Sequence, residues 1–341
     1  MTSNRAAIMT GSLSFPTVDE VFEHVPAIVG PAIKRIPDGE PGARNNWVGW
    51  QTETFARTPG LRRANQAELG TEYGLVPIFT LDHDADYADI EFPPLGYADA
   101  AIESWAKFSA RKQQGHIAPE IRFQVSLPTT VPLLPFFLPK DQKGIEQAVK
   151  TALLIELNRI ADNIPHDQLA IQWDVAAEVA MLETDIFDSF LKNDLAGIID
   201  RLARLGDAVP ADIELGYHLC YGGQEGKHFK EPADLGLLVK IANGIFDKIH
   251  RPVNWIHMPV PINREDDAYF VPLDELRRPE KTELYLGLLH LGDGISGAKR
   301  RIASASRHIP DFGVSTECGM CGRDAEWTLQ MLHLFGEAVR V

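Results

Sequence analysis

Eight short apolar runs, rich in β-branched residues, recur along this chain, and each ends in a polar residue. Runs that are apolar throughout are typical of strands buried on both faces of a parallel sheet. In a barrel of β/α units, the catalytic residues gather at the carboxyl ends of the strands. We therefore predict a barrel whose site is formed by the residues that end these runs. They are Ser12, Glu40, Thr129, Asp174, Cys220, His257, His290 and Cys318.

Segments with helical periodicity separate the last six runs, at 143–164, 183–206, 234–249 and 297–309. Strands that alternate with helices predict an α/β fold with a parallel sheet. A length of 341 residues suits a single (β/α)8 TIM barrel. We expect one such domain over residues 1–341.

The connection between the second and third strands, residues 41–120, is much longer than the others. It holds Pro and Gly clusters, an acidic patch over residues 82–91 and a helical segment near 97–113. A connection of this length predicts a functional loop or a subdomain, so we treat it as an insertion into the barrel. The acids of the patch lack calcium-loop spacing, which favours a solvated face.

Composition narrows the classes of partner. A formal net charge of −15 disfavours nucleic acid, because phosphate backbones are bound mainly through Lys and Arg. No apolar run reaches the roughly 18 residues of a spanning helix, and the N-terminus lacks the apolar stretch of a signal peptide. We expect a cytoplasmic protein without membrane partners, and the sequence leaves its oligomeric state open.

The three cysteines, Cys220, Cys318 and Cys321, are too few for a disulfide framework and lie at two strand ends. In His218-Leu219-Cys220, strand alternation directs the histidine and the first cysteine to the same face. Imidazole and thiolate are preferred zinc ligands, and a catalytic zinc typically takes three protein ligands. We predict a zinc site with Cys318 as the third ligand.

Three segments, HLCY, FGVSTECGMCGR and DGEPGARNNWVGW, together carry a family resemblance. They resemble the catalytic C-terminal barrel of cobalamin-independent methionine synthases, in the superfamily of barrels that includes uroporphyrinogen decarboxylase. The motifs span almost the whole chain in the same order. The resemblance implies that His218, Cys220 and Cys318 are zinc ligands.

The resemblance also implies roles for other strand ends. Glu40 and Asp174 match acids that hold the amino-acid part of homocysteine, and Ser12 matches a serine that contacts the same substrate. His290 falls where the family has a proton-donating histidine. We add Thr129 as a substrate contact and Asp174 as a further candidate for acid or base catalysis. The alternative for the two acids is that they only satisfy Arg44 and backbone donors.

The chain departs from the family pattern after the sixth strand and after Asp174. The family offers a Glu to zinc where this chain has His257, which either binds the metal or is hydrogen-bonded to its neighbours. A neutral imidazole in place of a carboxylate reduces the total negative charge of the ligands by one and makes zinc a stronger Lewis acid. Val175 stands where the family has a Glu, so the amino-acid pocket is only partly kept. Cys321 is a bystander thiol, a fourth zinc ligand or half of a redox CxxC pair.

The chemistry predicted from these residues is zinc-dependent alkyl transfer to a thiol. Zinc binding deprotonates a thiol at neutral pH, and the thiolate attacks an alkyl carbon. The acceptor is homocysteine or another small thiol, and the donor is a methyl-pterin, a methyl-corrinoid protein or an epoxide. His290 serves the proton transfer, because imidazole titrates near neutrality, or else it supports a neighbour.

Two rival functions predict different behaviour. A metal-free lyase or hydrolase, resembling uroporphyrinogen decarboxylase, would use Asp174 and His290 as acid and base, and it would need neither zinc nor Cys220. A non-catalytic zinc-buffering protein would bind metal without consuming thiol with any donor. The gathering of acids, bases and metal ligands at one rim favours an enzyme.

Overall fold

The computed structural model of the protein describes residues 5–65, 77–222 and 228–341. Seven strands form one curled parallel sheet, and two further strands pair separately. The strands are β1 (Arg35–Pro37), β2 (Leu61–Arg63), β3 (Phe79–Leu81), β4 (Arg122–Pro128), β5 (Leu169–Val175), β6 (Glu214–Leu219), β7 (Trp255–Pro259), β8 (Glu283–Gly287) and β9 (Gly313–Val314). The order in the large sheet is β1-β4-β5-β6-β7-β8-β9. The predicted α/β fold and seven of its strands are confirmed.

The remaining predicted strand, the first in the chain at residues 6–12, is not a regular strand. Ala7 forms parallel bridges to Ile33, just before β1, and to Val314 in β9, so this segment lies between the two edges of the sheet. Gly11 has a φ of 134°, which interrupts the extended backbone. The segment therefore pairs through single bridges where the prediction has a full strand.

Two buried glutamine side chains from neighbouring strands of the sheet form hydrogen bonds to the backbone of residues 6–12. Gln124 in β4 donates to the carbonyl of Met9 at 2.9 Å, and Gln172 in β5 donates to that of Thr10 at 2.8 Å. Both amides are buried. Because buried carbonyls need a donor, these contacts replace ladder hydrogen bonds that the segment lacks.

Helices occupy the connections between strands. They are α1 (Val18–Val29), α2 (Thr52–Arg57), α3 (Tyr97–Gln113), α4 (Pro139–Asn163), α5 (Ala177–Glu183), α6 (Leu195–Asp207), α7 (Gly236–Lys248), α8 (Asp267–Phe270), α9 (Gly294–Ala305) and α10 (Ala325–Ala338). The prediction of one helix over 183–206 was wrong in its first half. Asn193 has a φ of 59°, and Asp194 caps α6 by accepting from the amide of Gly197 at 2.9 Å. Among the described helices, none is long and apolar enough to cross a membrane.

The 41–120 connection has its own small elements and packs on the sheet. It contains α2, the antiparallel pair β2 and β3, and α3, whose bounds match the predicted helical segment. Phe55 of α2 packs against Phe137, which follows β4, with ring centroids 5.1 Å apart. Glu156 of α4 accepts from the amide of Ala98 at 2.6 Å and so satisfies the first turn of α3. The acids of the 82–91 patch are exposed, as predicted.

Candidate metal and substrate site

Three of the predicted metal ligands meet at the carboxyl end of the sheet. His218 lies in β6, Cys220 follows that strand and Cys318 follows β9. Their ligand atoms all lie within 4.8 Å of one another, and the two Sγ atoms are 3.3 Å apart. The amide of Cys220 donates to the carbonyl of Val175 at 2.8 Å, which fixes the backbone just beyond β6. This group, which we call the metal cluster, could hold one metal ion.

His257 lies behind the metal cluster and not in it. Its Nε2 is 2.9 Å from the carbonyl of Thr316, which only accepts, so this nitrogen carries the hydrogen and Nδ1 is left as an acceptor. Nδ1 of His218 lies 2.7 Å from that acceptor and is therefore the donor. Both nitrogens of His257 are occupied by these contacts, so the predicted direct bond from His257 to a metal has no free ligand atom.

The same chain of contacts leaves one nitrogen of His218 available. Its Nε2 is buried and has no hydrogen-bond partner among the described residues. Burial, with the neighbouring His257, lowers the pKa of His218 well below its usual value, so the ring is neutral. A neutral imidazole with an unpaired lone pair in a buried position is suited to bind a metal.

The surroundings of Cys318 and Cys321 favour the protonated thiol. The contact with Cys220 and burial raise the pKa of Cys318 well above its usual range, and the charge of Asp174 adds to this effect. Burial, with Cys318 and Glu40 nearby, raises the pKa of Cys321 to about 11. Cys321 is not part of the metal cluster. A bound metal cation would oppose the pKa shift of the Cys318 thiol.

Glu40 and Asp174 form an acidic pair beside Cys318 of the metal cluster, and we call this pair the acidic pocket. Burial, then the charges of Asp174 and Asp38, raises the pKa of Glu40 well above its usual range. Burial raises the pKa of Asp174 to about 8, although the side chains of Gln172 and Trp47 donate to it. The Gln172 bond is 2.8 Å long. A substrate with a cationic group would relieve this arrangement.

Arg44 does not neutralise either acid by direct contact. Its guanidinium forms two bonds to Asp38, of 3.2 and 2.8 Å, and Ser104 donates to the same carboxylate at 2.7 Å. Within the described ranges, no Lys or Arg side chain forms an ion pair with Glu40 or Asp174. Arg44 therefore acts on Glu40 only through its charge, and the alternative in which the two acids satisfy Arg44 and backbone donors stays untested.

Ser12 and Glu40 approach each other where two backbone segments converge. Ser12 forms a parallel bridge to Gly39, and its carbonyl accepts from Met320 at 2.8 Å. A Cβ on Gly319 would lie 2.3 Å from Ser12 Oγ, so a side chain there would displace the serine hydroxyl. Glu40 has a φ of 54°, an uncommon backbone conformation for a residue with a side chain. This strain at a site residue is typical of functional positions.

Thr129 is fully buried and contacts another side chain, Glu178, at the start of α5. Its hydroxyl donates to Glu178 Oε1, while Oε2 is buried with no partner among the described residues. Burial raises the pKa of Glu178 to about 7, and its charge contributes to the raised pKa of Asp174. Glu178 is thus a third acid near the pocket, which the sequence analysis missed.

The raised pKa of Glu178 predicts a pH-dependent loss of stability. Folding favours the protonated form, so its stabilising contribution is present at acidic pH and is lost as pH rises through about 7. Glu178→Gln removes this effect. We expect its free energy of unfolding, relative to wild type, to rise by roughly 2–3 kcal/mol between pH 5 and pH 8. Urea denaturation at both pH values measures it, and Glu337→Gln on the exposed face of α10 is the control. An equal difference at both pH values would contradict the shift.

His290 lies beyond β8, with both ring nitrogens directed at protein atoms. Nε2 is 2.9 Å from the carbonyl of Val260, and Nδ1 is 3.5 Å from Glu317 Oε2. Burial lowers the pKa of His290, and Glu317 opposes this effect. Asp293, which follows His290, accepts two bonds from the buried Arg301, at 2.7 and 2.8 Å. The proton transfer predicted for His290 stays a prediction.

Four residues that contact predicted site residues or one another were not predicted from the sequence. They are Thr316, which contacts His257, Glu178, which contacts Thr129, and the pair Glu317 and His228. Glu317 and Thr316 were within reach, because they belong to the run that ends at Cys318. No sequence pattern pointed to His228, because it lies in a connection and not at a strand end.

No family model matches the chain, and no curated protein matches its sequence. Solved structures do match. A protein from Listeria monocytogenes, assigned as a vitamin-B12-independent methionine synthase, is 14% identical with a TM-score of 0.60, covering 99% of this chain and 98% of its own. A B12-independent methionine synthase from Shewanella sp. W3-18-1, solved with selenomethionine, is 13% identical with a TM-score of 0.61, covering 98% and 96%.

A methyltransferase from Methanosarcina mazei is 10% identical with a TM-score of 0.57, covering 99% of this chain and 94% of its own. Identities this low show the fold alone. The fold they show is that of the family which the sequence motifs resemble.

Proposed function

We propose that this protein is a zinc-dependent enzyme that transfers an alkyl group, most simply a methyl group, to a small thiol. The observation that carries the proposal is the metal cluster. In it, Nε2 of His218, which has no hydrogen-bond partner in the described part of the chain, lies with the thiols of Cys220 and Cys318. The methionine synthase and methyltransferase structures that share the fold support alkyl transfer as the reaction class.

The donor set fits zinc. One neutral imidazole and two thiols are ligands of the kind that zinc prefers, and three protein ligands leave a position for substrate. When bound, zinc would supply the charge that keeps a substrate thiol deprotonated at neutral pH. His257 holds the ring of His218 in the orientation that directs Nε2 to the cluster.

The acidic pocket selects the thiol. Among the described residues, Glu40 forms no ion pair with a Lys or Arg side chain, so the amino group of a thiol such as homocysteine would bind at Glu40. Ser12 lies against the turn from Cys318 to Cys321 and contributes a hydroxyl to the same pocket. Thr129 acts through Glu178, because its buried hydroxyl donates a hydrogen bond to that carboxylate.

Asp174 is the proton donor in this proposal. The reaction forms a sulfur–carbon bond, breaks the bond from that carbon to the leaving group, and leaves the leaving group in need of a proton. With a pKa of about 8, Asp174 is largely protonated at neutral pH and able to supply it. We assign this step to Asp174 in preference to His290, whose nitrogens face Val260 and Glu317.

The proposal is tested by following thiol alkylation directly. Zinc-loaded protein is incubated with homocysteine or cysteamine and with a methyl-pterin, methylcobalamin or a small epoxide, and products are detected by mass spectrometry. We expect one donor class to give the S-alkyl product, and chelated protein to give none. Thiol alkylation that does not need zinc, or none with any donor, would overturn the proposal and favour the metal-free lyase or the buffer.

The hydrogen-bonded position of His257 predicts an effect on zinc affinity. His257→Phe leaves the Nδ1–H of His218 and the carbonyl of Thr316 without partners, at a cost of about 1–3 kcal/mol in stability. We expect zinc affinity to fall about 10–100-fold, the usual effect of losing an outer partner. Competition with a chromophoric chelator measures the affinity. His250→Phe, at an exposed site, is the control, and unchanged affinity in His257→Phe would contradict the assignment.

A further inference from the structure

A second cluster of titratable side chains lies directly behind Cys318. The carboxylate of Glu317 stands between two imidazoles, with Oε1 3.1 Å from His228 Nε2 and Oε2 3.5 Å from His290 Nδ1. The exposed side-chain fractions are 18% for Glu317, 6% for His228 and 11% for His290. The three residues come from the connections after β9, β6 and β8. One carboxylate therefore links three strand ends.

His228 provides the counter-charge for this carboxylate. Its other nitrogen, Nδ1, lies 3.0 Å from Glu231 Oε1, so the ring has a carboxylate on each side. Burial alone would lower the pKa of His228, but Glu317 and Glu231 outweigh that effect and raise it. A mostly buried carboxylate is costly unless it is paired, and the His228 ring 3.1 Å away pairs with Glu317 as an ion pair, without the geometry of a hydrogen bond.

The backbone brings His228 back to the end of β6. The amide of Phe229 donates to the carbonyl of Tyr221 at 2.9 Å. The ring of Phe229 packs on Gly222, where a Cβ would lie 2.1 Å from it and where φ is 73°. Only glycine fits this position. The segment with His228 is therefore anchored two residues after Cys220, one of the cysteines of the metal cluster.

The residues before Cys318 are each held by a separate contact. The carbonyl of Thr316 accepts from His257, the ring that orients His218, and the Thr316 hydroxyl donates to the carbonyl of Cys318 at 2.8 Å. Glu317 is held through its side chain. Because each residue has only two soft backbone dihedrals, fixing Thr316 and Glu317 restricts where the next Sγ can lie.

We propose that Glu317 is a positioning residue of the metal cluster, which fixes the thiol of Cys318 by binding His228 and His290. This inference rests on the proposed zinc binding and adds a residue outside the ligand set. It explains why a carboxylate next to Cys318 points away from the cluster and lies on two imidazoles.

The test compares two carboxamide variants that share one partner. Glu317→Gln weakens the contacts to both histidines, whereas Glu231→Gln removes only the other carboxylate from His228. We expect zinc affinity, from chelator competition, to fall about 10–100-fold in Glu317→Gln and to stay within about threefold in Glu231→Gln. The thiolate-to-metal absorption of the cobalt(II)-substituted protein should weaken in the first variant only.

A second variant covers the case in which Glu317→Gln does not fold. The double variant His228→Gln, His290→Gln keeps Glu317 but removes its partners, and we expect a similar loss of zinc affinity. Combining all three changes should add little, because they remove one interaction. Wild-type zinc affinity in Glu317→Gln or in the double variant would overturn the positioning role alone. A wild type that binds no zinc would overturn the proposed function and this inference with it.

Discussion

Cys220→Ser is expected to abolish stoichiometric zinc binding and, with it, thiol alkylation. The Sγ of Cys220 lies 3.3 Å from that of Cys318 and accepts from the amide of Gly222 at 3.2 Å, so it is directed at the cluster. A serine hydroxyl is not a zinc ligand of comparable strength, because it does not ionise near neutral pH. The loss in zinc affinity should exceed the roughly 10–100-fold that an outer partner costs.

Metal content by plasma mass spectrometry measures this effect, on protein purified without chelator or nickel affinity resin. The wild type should carry one zinc per chain, and Cys220→Ser almost none. Cys321→Ser is the matched control, since its thiol lies in the same region but outside the metal cluster. Zinc retained by Cys220→Ser would refute the ligand set, and zinc lost from both variants would make Cys321 a ligand.

The strand ends were predictable because they follow from one-dimensional patterns. The apolar runs located seven strands, and the alternation within His218-Leu219-Cys220 predicted that both side chains reach one point. Cys318, 98 residues later in the chain than Cys220, followed from its place at the end of the last apolar run, and the family resemblance implied the same ligand. Only residues on the ends of paired strands can be located in this way, since their neighbours are set by the sheet.

The contacts behind the cluster were not predictable, because they depend on which nitrogen or oxygen faces which neighbour. The role of His257 follows from a backbone carbonyl of Thr316, whose direction no sequence pattern encodes. Glu178 lies four residues after Asp174, and its burial is decided by the packing of α5. His228 lies beside Glu317 because the next residue, Phe229, is hydrogen-bonded to Tyr221 at the end of β6. Burial and hydrogen bonding, and not residue type, set the pKa values on which the chemistry depends.

Asp174→Asn is expected to lower kcat for alkyl transfer by about 10²–10⁴-fold, the range for loss of a general acid. The amide keeps the size of the side chain but has no proton to donate to a leaving group. Because wild-type activity needs the protonated form, kcat/KM, which reports the free enzyme, should fall as pH rises through about 8, and the variant should not show this fall. Initial rates of S-alkyl product formation between pH 6 and pH 9.5 measure both effects.

Glu40→Gln separates proton transfer from substrate binding. Glu40 shares the acidic pocket and has a raised pKa, but in the proposed mechanism it only binds the cationic group of the thiol. Its loss should raise KM for an amino thiol by about 10–100-fold, as expected for a hydrogen bond to a charged group. The value of kcat and the fall of kcat/KM near pH 8 should stay as in the wild type. If instead Asp174→Asn retained kcat within about threefold, or kept the fall near pH 8, the proton donor would have to be another group, and His290 would be the next to test.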